Sequence, residues 1–327
     1  MKHENLKSLF TAIADAIRTK TGSTDTIAAD DFPEAIQGIE GGSADFDAFN
    51  DGAIIWFHNG TEITKDMVPD TGFDAVYCPN AASIGEYAFH ECDSLTTVSL
   101  PNATSIGEGA FNSCEALTTV SLPNTTSIGD YAFNSCHALT SVSLPNATSI
   151  GNNAFYGCDD LTSVSLPNAT SIGESAFQYC VTLTSVSLPN ATSIGHGAFD
   201  SCEALTTVSL PNATSIGDSA FFSSNGILDT LILRSATMCD MVISAIVGTK
   251  IIDETGMPTG EGFIYVPTAL YEAYIADWIP KIIEFATANG VPMDEPTATY
   301  IATAILRKLE DYTVDGTTTG ELDESKI

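Results

Sequence analysis

Cations are what this chain has least of. Lys and Arg together number 11 against 42 Asp and Glu, a formal net charge of −31 over 327 residues. Their placement says more than their number, because no Lys or Arg occurs between Lys65 and Arg234. A long surface without cations repels phosphate backbones and anionic headgroups, which argues against nucleic acid and acidic membranes as partners. It also leaves few salt bridges to be made, so stability there must come from burial and backbone pairing. Long apolar runs are missing too: no stretch of about 18 apolar residues exists to span a membrane. The N-terminal "MKHENLKSLFTAIADAIRTK" interleaves its apolar residues with Lys7, Asp15 and Arg18. It therefore does not read as a secretory signal, and assembly in the cytoplasm is the expectation. There is no C-x-x-C pair and no His that recurs beside a Cys, so zinc-ligand spacing is absent.

What is present is repetition. Ile-Gly pairs begin at Ile84, Ile106, Ile128, Ile150, Ile172, Ile194 and Ile216, each step being 22 residues. The shared sentence is I-G-x-x-A-F-x-x-C-x-x-L-T-x-V-S-L-P-N-A-T-S. In Leu-Thr-x-Val-Ser-Leu, Val98 and Leu100 flank Ser99, which is strand alternation. Pro101 ends that strand because it has no N–H for a ladder. In Gly-x-x-Ala-Phe-x-x-Cys the apolar spacings of one and three predict a short helical turn, with Gly85 and its equivalents easing the bend. One such unit has a single apolar side and cannot bury it alone; stacked neighbours can. Phe73, Val76 and Cys78 continue the pattern upstream. Leu228, Leu231 and Leu233 continue it downstream if one residue is inserted, giving eight strand units. At about 4.8 Å per rung the ladder is roughly 34 Å long.

The pattern "SIGxxAFxxCxxLTxVxLP" resembles the BspA-like class of leucine-rich repeat, over residues 73–234. The resemblance implies a curved solenoid with a sheet on one face. It also implies the company of surface and interaction proteins of gut and oral bacteria and their phages, with no catalytic residue. The fold class expected is α/β: a solenoid of 22-residue repeats with a small helical N-terminal module and an α/β C-terminal cap.

The constant and the changing letters divide the work. Cys92, Cys114, Cys136, Cys158, Cys180 and Cys202 recur once per repeat. Parallel inward-pointing side chains have the wrong relative direction for disulfides, so the reading is a small buried hydrophobe at the corner. Asn102, Asn124, Asn146, Asn168, Asn190 and Asn212 sit in sequon-like triplets and read as turn residues that bond their own backbone. The outward strand positions, such as Thr97 and Ser99 or Ser163 and Ser165, form a uniform hydroxyl face. The changing letters follow Gly, Ala-Phe and Cys. Those chosen as candidate binding residues are Tyr87, His90, Tyr131, His137, Asn152, Asn153, Tyr156, Gln178, Tyr179, His196 and Phe222. They are either a recognition surface or drift at solvated positions, and either face could bind.

The flanks divide into residues 1–43, an attachment module and linker; 44–72, an entry cap; and 235–327, a closing cap with an acidic tail. Leu6, Leu9, Phe10, Ile13 and Ile17 fall at helical spacing, and "DDFPEAIQGI" predicts a second short helix. The stretch "LKSLFTAIADAIRTKTGSTDTIAADDFPEAIQGI" resembles an N-terminal module of phage and prophage tail-associated proteins, which implies attachment to a particle. "GFIYVP" predicts a strand. "TALYEAYIADWIPKIIEFATANG" predicts a helix broken at Pro280, and "PTATYIATAILRKLEDY" a further helix. Asp311, Thr313, Asp315 and Gly316 start like a calcium loop, but Leu322 stands at the twelfth position and no helix pair flanks it. "GMPTGEGF" lacks the strand–loop–helix order of a nucleotide loop. No triad, metal set or acid/base pair assembles, so neither an enzyme nor a cofactor is expected. The favoured expectation is a non-catalytic tail-associated protein that binds a bacterial surface receptor, glycan or protein, with other tail proteins held through residues 1–40. A homo-oligomer, a trimer by analogy with tail appendages, is a further expectation. The alternative is a BspA-like cell-surface adhesin.

Overall fold

The computed structural model describes residues 62–68, 73–222 and 227–311, together with the strand segments Asp47–Phe49, Ile54–Trp56, Thr313–Val314 and Thr317–Thr318. The helical attachment module expected over residues 1–43 lies outside them, as do the lone acidic residues of the tail.

The repeat folds into a parallel β-solenoid. One strand per rung comes from the Leu-Thr-x-Val-Ser-Leu segment: Ala75–Tyr77, Thr97–Ser99, Thr119–Ser121, Ser141–Ser143, Ser163–Ser165, Ser185–Ser187, Thr207–Leu210 and Thr230–Leu233. These are the eight expected units. Neighbours pair in parallel at matching letters, Val98 opposite Val120 and Val142 opposite Val164. Thr207 faces Thr230, a step of 23, so the decayed last repeat does carry one inserted residue. Strict in-register pairing follows from the repeat itself, because a slip of one residue would turn every Val outward.

A second parallel sheet runs beside the first. It is built from two-residue Ser-Ile strands, Ser83–Ile84 to Ser215–Ile216, and extends to Glu62–Ile63 at one end and Asp240–Met241 at the other. These residues read from sequence as part of a turn. Two residues are too few to show alternation, and only the stacking of identical pairs makes a ladder of them.

The core is continuous along the axis. Ile, Ala, Phe, Leu and Leu of each described rung are buried, as are Cys114 through Cys202. The phenylalanines stack face to face from Phe89 through Phe111, Phe133, Phe155, Phe177 and Phe199 to Phe221. Successive ring centroids are 5.1 to 5.6 Å apart and nearly parallel.

The expected helical turn is absent, and the ring spacing explains why. Packed helices need about 8–10 Å between axes. Rungs little more than 5 Å apart leave no room for one helix per rung. The Gly-to-Cys segment is instead a run of tight turns.

The C-terminal segment continues the first ladder. Phe263–Val266 pairs in parallel with Thr230–Leu233, and Leu306–Lys308 with Phe263–Val266. Helix α1 (Tyr271–Ala288) lays Tyr274, Trp278, Ile282 and Ala286 on the core. It runs straight through Pro280, against the expected break. Pro280 faces solvent while its neighbours Trp278 and Ile282 are buried, and that packing offsets a proline cost of about 3 kcal/mol. Helix α2 (Glu295–Ile305) starts at Asp294, whose carboxylate accepts from Thr297 N–H at 2.9 Å. It stops earlier than its sequence suggests, since Leu306 leaves the helix to pair with the open edge of Phe263–Val266. No described helix is long and apolar enough to cross a membrane.

Candidate functional site

The constant letters are spent on joining rungs. Each array Asn donates its side-chain amide to the Pro carbonyl of the preceding rung, from Asn102 to Pro79 through Asn212 to Pro189, at 2.6 to 2.8 Å. The expectation of a local turn bond is therefore corrected: the bond is inter-rung. Two threonine columns do the same. Thr118 Oγ1 donates to Thr96 O at 3.0 Å, and Thr126 Oγ1 to Thr104 O at 3.0 Å. The cysteines are more than filler. Cys114, Cys136, Cys158, Cys180 and Cys202 each donate the thiol to a Phe carbonyl one rung back, at 3.0 to 3.3 Å. Burial pushes the Cys136 thiol up to about 12. Cys92, at the start of the column, is half-buried, and the neighbouring Cys114 thiol first, then Lys65, pull its own thiol down against the effect of burial.

From Gly107 to Gly217, the Gly of the Ile-Gly pair is required for another reason than bending. A Cβ on Gly151 would lie 2.6 Å from Gly129 C and from Asp130 N of the preceding rung. Glycine is there because two backbones approach that closely.

The turn edge is where variety collects. Among the described residues, the third and seventh residues after the Ile of each Ile-Gly pair take left-handed conformations, with φ between 51° and 65°. Tyr87, Glu91, Tyr131, Asn153, Ser175 and Tyr179 are among them. Between them the N–H groups alternate. Tyr87, Phe89 and Glu91 donate to Glu108, Ala110 and Asn112 carbonyls of the next rung, while Ala88, His90 and Cys92 close turns inside their own. The left-handed residues turn the backbone so that alternate donors reach the neighbour.

The structure divides the eleven candidate residues into three groups. Tyr87, Tyr131 and Tyr179 are exposed at 38%, 41% and 41%. Tyr87 meets the His90 ring edge-on at 5.7 Å, and Tyr156 meets Tyr179 at 5.3 Å. Gln178 Nε2 donates to Asp200 Oδ2 at 2.6 Å. A second group serves the stack. Asn152 N–H donates to Asp130 Oδ1 at 2.7 Å, and Asn152 Oδ1 accepts from Glu174 N–H at 2.8 Å. His90 Nδ1 lies 3.0 Å from Asn112 O. Phe222 is half-buried and packs on the core. The third group is the remaining polar letters. His137 Nδ1 sits 3.0 Å from Asp159 Oδ2, His196 Nδ1 sits 4.0 Å from Asp218 Oδ2, and Asn153 is half-buried at a left-handed position.

Asp200 was missed by sequence reasoning. It is partly buried, and burial raises its carboxyl above the usual range, while Ser201, Gln178 and His196 hold it down in part. Reading one slot down successive repeats could have found it, since Tyr156, Gln178 and Asp200 share the first position after Ala-Phe. The hydroxyl face is as expected in composition: Ser163 and Ser165 are exposed, and Thr97 and Ser99 are half-buried.

Residues 61–184 and 126–239 match the BspA type leucine rich repeat region, in six copies. Among solved structures, a leucine rich repeat protein of T. pallidum is 28% identical, over 49% of this chain and 86% of that one, with a TM-score of 0.34. A leucine rich cell surface protein of Faecalibacterium prausnitzii A2-165 is 18% identical, over 70% and 94%, with a TM-score of 0.31. A leucine-rich repeat protein of Bacteroides ovatus is 20% identical, over 62% and 80%, with a TM-score of 0.29. No curated protein matches the chain. With its match spanning residues 61–239, more than half of 327 residues, the chain belongs to the BspA-type leucine-rich repeat family.

Proposed function

We propose that this protein is a non-catalytic binding protein displayed at a bacterial surface, which meets a host or neighbouring cell through the turn edge of its solenoid. One observation carries the reading. The constant Asn and the two constant Thr columns of the rungs are consumed by inter-rung bonds, whereas Tyr87, Tyr131 and Tyr179 stand exposed on one edge. Tyrosine there brings apolar area and a hydroxyl at small entropic cost, which is what recognition surfaces use. Similar rungs also present similar contacts repeatedly, so weak sites can act together. The partner is a surface glycan or protein. Neither nucleic acid nor an anionic membrane suits a surface with no cation between Lys65 and Arg234.

The tail-associated reading drew on residues 1–43, which lie outside the described residues. The surface reading is preferred because family membership rests on the part of the chain that would do the binding. Brief proteolysis of intact producing cells tests it. The chain should be shaved from the cells, and purified full-length protein should adhere to target cells through the tyrosine edge. Protein protected inside intact cells, with label found on phage particles, would favour the tail reading instead.

A further inference from the structure

Tyr156, Gln178, Tyr179 and Asp200 come together on three successive rungs. Tyr156 and Tyr179 touch edge-to-face at 5.3 Å. Tyr179 N–H donates to the backbone carbonyl of Asp200 at 2.9 Å, so the second ring and the carboxylate sit on facing turns. Each Asp200 oxygen takes one neutral donor: Ser201 Oγ on Oδ1 at 2.8 Å and Gln178 Nε2 on Oδ2 at 2.6 Å. A carboxylate has room for about four such bonds. Ser201 and Gln178 fill about half of these sites, and His196 offsets the charge only in part, since the carboxyl still lies above its usual range. The rungs that carry the cluster have no Lys or Arg with which to fill the other sites. Tyr179 is exposed and Tyr156 half-buried, so ring surface is available beside the open acceptor.

We propose that this cluster is a recognition site for a lysine or arginine side chain on a protein partner. The tyrosine rings offer their faces to the cation, and Asp200, oriented by Gln178 and Ser201, accepts its N–H groups. Charge complementarity selects the occupant. Cation–π contact and a charge-assisted hydrogen bond act on the same group, and the anionic field of the surrounding rungs draws cations toward it. A neutral sugar would use the rings and the acceptors but gain nothing from that field. The inference rests on the binding reading above and names the class of partner for the same edge.

The repeat supplies its own conservative variants. Tyr179→Ser installs the residue that Ser135 and Ser201 already carry in the same left-handed slot, and Asp200→Asn installs that of Asn134. The full chain is titrated with an arginine-bearing decapeptide, with its glutamine-substituted twin and with chitohexaose. The arginine peptide is expected to bind, and to bind more weakly as salt rises. Tyr179→Ser and Asp200→Asn should each weaken it roughly tenfold, whereas Glu115→Gln, an exposed acid outside the cluster, should change it less than about twofold. Equal loss in Glu115→Gln would overturn the proposal in favour of diffuse charge attraction. Tighter binding of chitohexaose, or equal binding of the glutamine twin, would overturn it in favour of a neutral ligand. Adhesion of the wild type to target cells that survives both cluster variants would sink this site yet leave the binding role standing. Failure of the wild type to adhere anywhere would remove the binding role itself.

Discussion

The ring of Tyr87 occupies the space that a side chain on Gly109 would need. A Cβ on Gly109 would lie 2.3 Å from Tyr87 Cε1. The same ring is anchored by its hydroxyl, which donates to Glu108 Oε1 at 2.7 Å. Gly109 also has φ of 55°, in the left-handed region. A variable letter in one rung thus sets what the next rung can carry, and the edge is partly a structural surface.

That relationship gives a double-mutant test. Gly109→Ala should destabilise by about 1–2 kcal/mol from the left-handed backbone alone, with a further loss from displacing the ring. In a Tyr87→Ser background, where Ser copies Ser175 and Ser219, the ring term disappears. The two changes should then couple by roughly 0.5–1 kcal/mol in urea denaturation. Strict additivity would mean that the ring moves aside freely.

The phenylalanine column makes a second prediction. Phe155 is buried and stacked between Phe133 and Phe177 at 5.2 Å on each side. Phe155→Ala removes the ring from both stacks and should cost about 3–5 kcal/mol. An unchanged denaturation midpoint would contradict the inward assignment.

The thiols make a third. All eight cysteines are free, and Cys92 is the one that is not fully buried. Its thiol is pulled below the usual range, whereas burial pushes Cys136 and Cys239 up to about 12 and Cys158 and Cys202 well above the usual value. The thiolate is the reactive form. Iodoacetamide should label Cys92 alone in the native protein near neutral pH, with the other seven reacting only after unfolding. Rapid native labelling of Cys136 or Cys158 would show that the rungs open.

Much of this architecture is legible in the letters, for a physical reason. Ile, Ala, Phe, Leu and Val recur because every rung must fit an identical neighbour, so the core writes itself seven times over. The turn backbone is not legible in the same way. Left-handed positions usually announce themselves with Gly or Asn, yet here Tyr, Glu and Ser hold many of them, stabilised by N–H bonds to the next rung. Apolar spacing alone therefore suggested a helical turn. The Asn triplets misled similarly, since Asn146 can bond its own backbone or, as it does, Pro123 one rung away. At the edge, Tyr156, Gln178 and Tyr179 stood out as variable letters. Asp200 did not, because its role appears only when three rungs are stacked.

Asp200 also separates stability from binding. Burial is the main cause of its raised carboxyl. A carboxyl whose folded value lies above its unfolded value is disfavoured as the ion in the fold. That cost is fully present above the folded value and vanishes as pH falls below the unfolded one, near 3.8. Asp200→Asn keeps an acceptor for Ser201, lets Gln178 turn its amide so that its oxygen accepts from the new amide N–H, and removes the ionisation. At neutral pH the variant should therefore be at least as stable as the wild type, and its advantage should shrink steadily on acidification toward 3.8. Urea midpoints of the two proteins across that range measure the difference. Because the same substitution is expected to weaken the arginine peptide at neutral pH, binding and stability should move in opposite directions. A variant that is less stable at neutral pH, with the gap closing in acid, would mean that the Asp200 carboxylate holds the rungs together through the bonds it accepts from Gln178 and Ser201.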